Sequence, residues 1–289
     1  MESNAKIFVG TANFGRTYGK IKTRNLFNNQ DLKVLLKKIE ENDNLYIDTA
    51  EIYGNSENLI GKHASGKLDN KICTKITLSE SDTFKSLIAK IRSSLSRVKQ
   101  DTFHSVLIHN SEMIKSKNFL YLVDALYECK KMKLATNVGI SCYNSYEISE
   151  VFDKTSLLNH FQIPENVADQ RNKNNVKLEE LKHSGISISI RSVFLQSLLL
   201  MEVQQIPIFF NPTAEVFRSI DFYSHLNKVT KLKYCLDYVR SISWNDGIVF
   251  GVENLLQFNQ ILEAMEDPIL VTKFPSKTLN SFYADPRNW

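Results

Sequence analysis

A single-domain α/β fold, a closed (β/α)8 barrel, is what this chain predicts, and three observations predict it. Eight short apolar runs recur along the 289 residues. Segments with helical spacing of apolar residues alternate with them, and several runs end in a side chain capable of chemistry. Parallel strands need crossovers of about a dozen residues or more, so this alternation builds a parallel sheet, and eight units are enough to close it. The hydrophobic residues, 43% of the chain, are spread evenly, which favours one domain spanning 1–289 over two smaller ones.

The elements follow in order. Lys6-Ile7-Phe8-Val9 is a first buried strand ended by Gly10. A long polar loop from Arg16 to Gln30 is expected to overhang the strand ends. Asp31 to Asn42 carries Leu32, Leu35, Leu36 and Ile39 at helical spacing, with Asp31 placed to begin it. Strand two runs from Leu45 to Ala50, and a helix starts at Ser56. Lys71 to Ile76 is strand three. Its helix, Thr83 to Val98, turns Leu87, Ile88, Ile91 and Leu95 to one face. His104 to Ile108 is strand four, Phe119 to Met132 a helix, and Asn137 to Ser141 strand five.

The second half keeps the rhythm. Ser145 to Phe152 is helical, His160 to Ile163 is a strand stopped by Pro164, and Val176 to His183 is a helix stopped by Gly185. Ile186 to Ile190 alternates with period two as strand seven. Met201 to Pro212 reads as a strand-like loop or a flap. Asn227 to Ile242 is one long helix, Gly247 to Gly251 strand eight, and Asn254 to Met265 its helix. The aperiodic tail, residues 267–289, is expected to fold over the barrel.

The chemistry gathers around Tyr46 to Glu57. Asp48 closes an apolar strand, where a carboxylate is costly unless a cation or donor meets it. Lys75 and His109 close the next two strands, so parallel packing brings Asp48, Tyr53, Lys75 and His109 onto one rim. A lone His after a strand is more often structural, and Asp48 with Lys75 also reads as a structural ion pair; three consecutive strands ending this way favour a site. Tyr53 can supply a proton to a developing alkoxide if a cation lowers its pKa from about 10. An ammonium about 4 Å away contributes on the order of 4 kcal/mol at an effective dielectric of 20, roughly three pKa units before desolvation opposes it. Lys75 is the candidate cation, with Asp48 as its counter-ion.

Asp48-Thr49-Ala50, Tyr53-Gly54 and Ser56-Glu57, followed by Thr74-Lys75 and Leu107-Ile108-His109, resemble the aldo-keto reductases. Val9 to Gly15 with Tyr18-Gly19, Gly139-Ile140-Ser141, Phe161 to Pro164 with Asp169-Gln170-Arg171, and Arg191 to Gln196 extend the resemblance over nearly the whole chain. The Arg191 to Gln196 run and the final Asp285 to Trp289 look most like a bacterial branch associated with surface-polysaccharide genes. The resemblance implies NADH or NADPH as cofactor, a small-molecule carbonyl substrate, in that branch a sugar-derived one, and His109 as the donor that orients the carbonyl oxygen. It places Ser141 and Gln162 at the nicotinamide amide, with Cys142 where relatives have Asn. Arg191, beside Ser192, stands where relatives stack a Tyr on the nicotinamide. The adenosine end falls on Gly251, Glu253, Asn254 and Gln257, a stretch with one acid and no base. A 2′-phosphate meets repulsion there, so NADH is expected to serve at least as well as NADPH unless Lys273 or another tail residue supplies the charge.

Other classes find no support. Lys+Arg 36 against Asp+Glu 32 leaves +4 without a long basic run, which gives no nucleic-acid footprint yet suits an anionic ligand such as a dinucleotide or sugar phosphate. Cys73, Cys129, Cys142 and Cys235 lack Cys-x-x-Cys spacing, which points away from a zinc ribbon and toward a reducing cytoplasm. No leader pattern and no run of about 20 apolar residues occur, so neither export nor a membrane span is expected. Gly-x-Gly-x-x-Gly, a Gly-x-Ser-x-Gly around Ser197 and His-x-x-x-His are all absent, which disfavours a Rossmann domain, a serine hydrolase and a catalytic metal. The alternative function is a nucleotide-binding regulatory barrel with little or no turnover.

Overall fold

The computed structural model describes residues 5–14, 27–66, 68–267 and 271–289. Eight parallel strands close in sequence order: β1 (Lys6–Gly10), β2 (Leu45–Asp48), β3 (Ile72–Ile76), β4 (Phe103–Ile108), β5 (Ala135–Ser141), β6 (His160–Pro164), β7 (Ser187–Arg191) and β8 (Gly247–Gly251). The register sets Gly10 beside both Asp48 and Gly251, Ser141 beside Gln162, and Pro164 beside Arg191, so the strand ends named above share one rim. Period-two alternation separates two apolar groups. Phe8, Cys73, Leu107 and Val249, packed by Tyr46, fill the barrel axis, while the larger cluster lies between sheet and helices. Gly139 is required where β5 meets β6, since a Cβ there would stand 1.6 Å from the His160 carbonyl oxygen.

The helices bury the stripes that their spacing predicts. In α1 (Asn29–Glu41) Leu32, Leu35, Leu36 and Ile39 are all buried. The helix starts before Asp31, because Asn28 accepts from the amides of Gln30 and Asp31 and caps it. α2 (Ser56–His63) follows β2. α3 (Phe84–Val98) begins at a Thr83–Ser86 capping box and buries Leu87, Ile91 and Leu95, with Val98 in place of the partly exposed Ile88. α4 (Phe119–Lys131), α5 (Ser145–Lys154) and α6 (Val176–His183) occupy the next three crossovers.

Three expectations change. Strand two stops at Asp48, where the chain turns into the Tyr53 loop. Met201 to Pro212 forms 3₁₀ turns at Val203–Gln205 and Ile208–Thr213, since Pro207 and Pro212 cannot donate to a ladder. The single helix from Asn227 to Ile242 is shorter and has an unforeseen predecessor: α7 (Ala214–Leu226) and α8 (Lys231–Arg240). Lys228 takes φ 56° between them, and the Thr230 hydroxyl accepts from the Lys233 amide to start the second. α9 (Leu255–Glu266) starts from Asn254 as its cap.

The expected overhanging loop lies outside the described residues from Arg16 to Leu26. In the tail, the Leu279 amide bonds the Ala168 carbonyl (2.7 Å), and Gln170 donates to the Pro275 carbonyl (2.9 Å). A short helix, α10 (Ser281–Ala284), and a 3₁₀ turn, Pro286–Asn288, then bring Asp285, Pro286 and Arg287 to the rim.

Candidate active site

The loop after β2 is pinned by residues that do no chemistry themselves. Ser56 Oγ donates to Thr11 Oγ1 (2.6 Å) and lies 3.1 Å from Thr49 Oγ1, tying the loop to β1 and to its own start. Glu57 is buried and accepts from Thr74 (3.0 Å), Ser94 (2.9 Å) and Arg97 Nε (2.7 Å), which anchors α2 to β3 and α3. Gly54 takes φ 59°, and amide bonds from Tyr53 to Ala50 and from Ser56 to Tyr53 close the turn. Tyr53 is thereby held over the end of β3.

Beneath it, Lys75 Nζ lies 2.5 Å from Asp48 Oδ1, with both side chains almost fully buried. Gln162 Nε2 donates to Asp48 Oδ2 (2.9 Å), so both carboxylate oxygens are engaged. Burial opposes the charge on Lys75, yet the Asp48 carboxylate and the Tyr53 phenol hold its pKa above the ordinary lysine value. Lys75 Nζ stands 5.7 Å from the centre of the Tyr53 ring, and the His109 ring meets that ring edge-on at 5.9 Å. Burial pushes the His109 imidazole down to about 3, with Lys75 and Arg191 adding to the effect, so it is neutral at pH 7. Among the described residues its Nδ1 has no hydrogen-bond partner. The four residues predicted to converge do so.

A profile of the aldo/keto reductase family matches residues 6–275. The chain belongs to that family. It is an NAD(P)-dependent oxidoreductase that uses NADH or NADPH, and carbonyl reduction is the family's reaction. Among solved structures, the holo form of the aldo-keto reductase AKR11C1 from Bacillus halodurans aligns with TM-score 0.73 at 14% identity, over 96% of this chain and 94% of that one. A thermostable aldo-keto reductase, Tm1743, in complex with the inhibitor epalrestat, aligns with TM-score 0.68 at 20% identity, over 91% and 90%. At these identities the likeness is one of fold. No sequence among curated proteins matches the chain.

The reductase has a cleft of about 260 Å³ running from Asp48 and Tyr53 past Gln162, Arg191 and Ser192 to Gly251, Glu253 and Gln257. These residues fit a nicotinamide dinucleotide. Gln162 Oε1 is buried without a partner among the described residues and can accept from a carboxamide, while Gly251 leaves its backbone open to an approaching group. Ser141 is buried beside Gln162 at the end of β5. The Asn254 side chain caps α9 by accepting from the Gln257 amide (2.8 Å). Glu253 and Gln257 bond each other through Oε2 and Nε2 (3.3 Å).

Three features of the cleft had no signal at the level of residues. Leu195, Gln196 and Ser197 all take positive φ, a strained left-handed run without a glycine to announce it. Tyr143 and Arg287 also line the cleft, and the guanidinium of Arg287 lies 3.5 Å from the centre of the Tyr143 ring. Arg191 lies 4.7 Å from the same ring and donates to the Cys142 carbonyl (3.1 Å). Among the described residues no group of His, Cys, Asp and Glu is arranged to hold a metal, and no helix is long and apolar enough to cross a membrane.

Proposed function

We propose that this reductase converts an aldehyde or ketone to an alcohol, with Tyr53 as the proton donor. The observation that carries the reading is the buried Asp48–Lys75 pair set beneath the Tyr53 ring. A lysine kept charged there favours release of the phenolic proton, and Asp48 offsets the cost of burying it. His109, neutral at pH 7, donates one N–H to the carbonyl oxygen and orients it. Gln162 and Ser141 hold the nicotinamide amide, Arg191 and Ser192 its flank, and Gly251, Glu253, Asn254 and Gln257 the adenosine end. The bound nucleotide supplies the hydride.

A sugar-derived carbonyl is the favoured substrate, on the likeness of Arg191 to Gln196 and Asp285 to Trp289 to the branch associated with surface-polysaccharide genes. Four free, buried cysteines suit a reducing cytoplasm. A nucleotide-consumption screen over simple aldehydes, ketoses and nucleotide sugars tests the reading. Turnover of at least one carbonyl is expected; tight nucleotide binding with no turnover across the panel would leave a regulatory barrel instead.

A further inference from the structure

A second cavity, about 370 Å³, opens beside the Tyr53 cleft and shares Tyr143, Arg191, Ser192 and the turn from Asp285 to Arg287 with it. Its volume falls within the range of small-ligand sites. Three guanidinium groups line it, those of Arg171, Arg191 and Arg287, against a single carboxylate, Asp285.

Two of the three are braced from one side. Arg171 places Nε and Nη2 on Asp169 (2.7 and 2.8 Å), and Arg287 places the same two atoms on Asp285, which leaves Nη1 of each outside the fork. Glu112 stands 3.9 Å from Arg287 Nη1, but both side chains are more than half exposed, so solvent screens that contact. Arg191 differs. Its hydrogen bonds go to neutral groups, the Cys142 carbonyl and Ser192 Oγ, and its Nε is buried with no partner among the described residues. Arg191 and Arg287 also lie against one ring, that of Tyr143. Like charges gathered this closely repel unless anions stand among them; Asp169 and Asp285 answer Arg171 and Arg287, and the charge of Arg191 is left without a bonded carboxylate among the described residues.

We propose that the carbonyl substrate carries an anionic group, a phosphate or a carboxylate, which seats among Arg171, Arg191 and Arg287 while the carbonyl faces Tyr53 and His109. The proposal rests on the reading of Tyr53 and His109 as the reducing end. Planar guanidinium groups match either anion through paired N–H bonds, and anchoring the far end of the substrate positions the carbonyl.

Matched pairs test it: butanal against 4-oxobutanoate for a carboxylate, and glyceraldehyde against glyceraldehyde 3-phosphate for a phosphate. The wild-type protein is expected to favour the anionic member of at least one pair by about tenfold or more in kcat/KM, and the pair that responds tells which anion is read. Arg287→Gln should shrink that preference by about tenfold, and Arg287→Lys should restore part of it, because the charge returns without the fork. Equal kcat/KM within both pairs would overturn the proposal whatever the variants do, and so would a preference indifferent to Arg287→Gln. Failure of the reading beneath it looks different: none of the four carbonyls would consume nucleotide, and both would fall together.

Discussion

Two polar layers lie inside the barrel, and they differ in how their hydrogen bonds close. Toward the N-terminal end of the strands, His160 is held at both nitrogens, Nδ1 2.6 Å from Ser105 Oγ and Nε2 3.0 Å from Ser189 Oγ, among the rings of Phe8 and His104. Toward the C-terminal end, Lys75 and Gln162 both donate to Asp48, yet Gln162 Oε1, His109 Nδ1 and Arg191 Nε are left open among the described residues. An open atom does not by itself mark a site. His104 Nδ1 is equally open in the lower layer, and neither His104 nor His109 lines the clefts described above, whereas Gln162 and Arg191 do. Unfilled valences together with a cavity separate the working layer from the supporting one.

Removing a working group gives the largest effect. Tyr53→Phe is expected to lower kcat/KM by roughly 10²–10⁴-fold while leaving nucleotide affinity nearly unchanged, read by steady-state rates and fluorescence titration. Lys75→Met should match that loss and also cost about 3–5 kcal/mol of folding stability, because Asp48 stays buried without its cation. Wild-type turnover by the Phe variant would remove Tyr53 from the chemistry.

The lower layer should answer in stability instead of rate. His160→Val strands the buried Ser105 hydroxyl, at about 1–3 kcal/mol, and leaves Ser189 with its longer bond to the Phe161 carbonyl (3.4 Å). A urea titration measures this, and kcat/KM of the folded variant should stay within a few-fold of wild type. A rate loss comparable to that of Tyr53→Phe would mean that the two layers act as one network.

The smallest effect concerns nucleotide choice. Glu253 and Gln257 bond each other at the far end of the cleft, and an adjoining cavity contains Lys231. That lysine is already engaged by Asp221 (2.8 Å) and Glu202 (3.5 Å). NADH should therefore serve at least as well as NADPH. Comparing kcat/KM for both with one carbonyl decides it: a preference for NADPH above about 100-fold, near 2.7 kcal/mol, would defeat the expectation.

What was legible in the chain follows from distance along it. Leu32, Leu35, Leu36 and Ile39 repeat within one helix, so α1 and its buried face could be read directly. Asp48, Lys75 and His109 end successive strands, and parallel pairing alone brings them together. The contact of Tyr143 with Arg287 joins two loops half the chain apart, and no local period encodes it. α7 went unread although Val216, Phe217 and Ile220 repeat at helical spacing and are buried, and the start of α8 four residues after Asn227 comes from a left-handed lysine and a threonine cap. The strain at Leu195 to Ser197 was hidden, since none of the three residues advertises a positive φ.

Cys73, Cys129, Cys142 and Cys235 are each fully shielded, and burial raises all four thiols, Cys129 and Cys235 to about 12. Alkylating reagents attack the thiolate, so a folded molecule offers them nothing to react with. The four side chains sit at separate stations: the barrel axis, α4, the turn behind Arg191 and α8. The order in which they become labelled is therefore a clock for partial opening, with Cys142 timing the mouth and Cys73 timing the barrel itself.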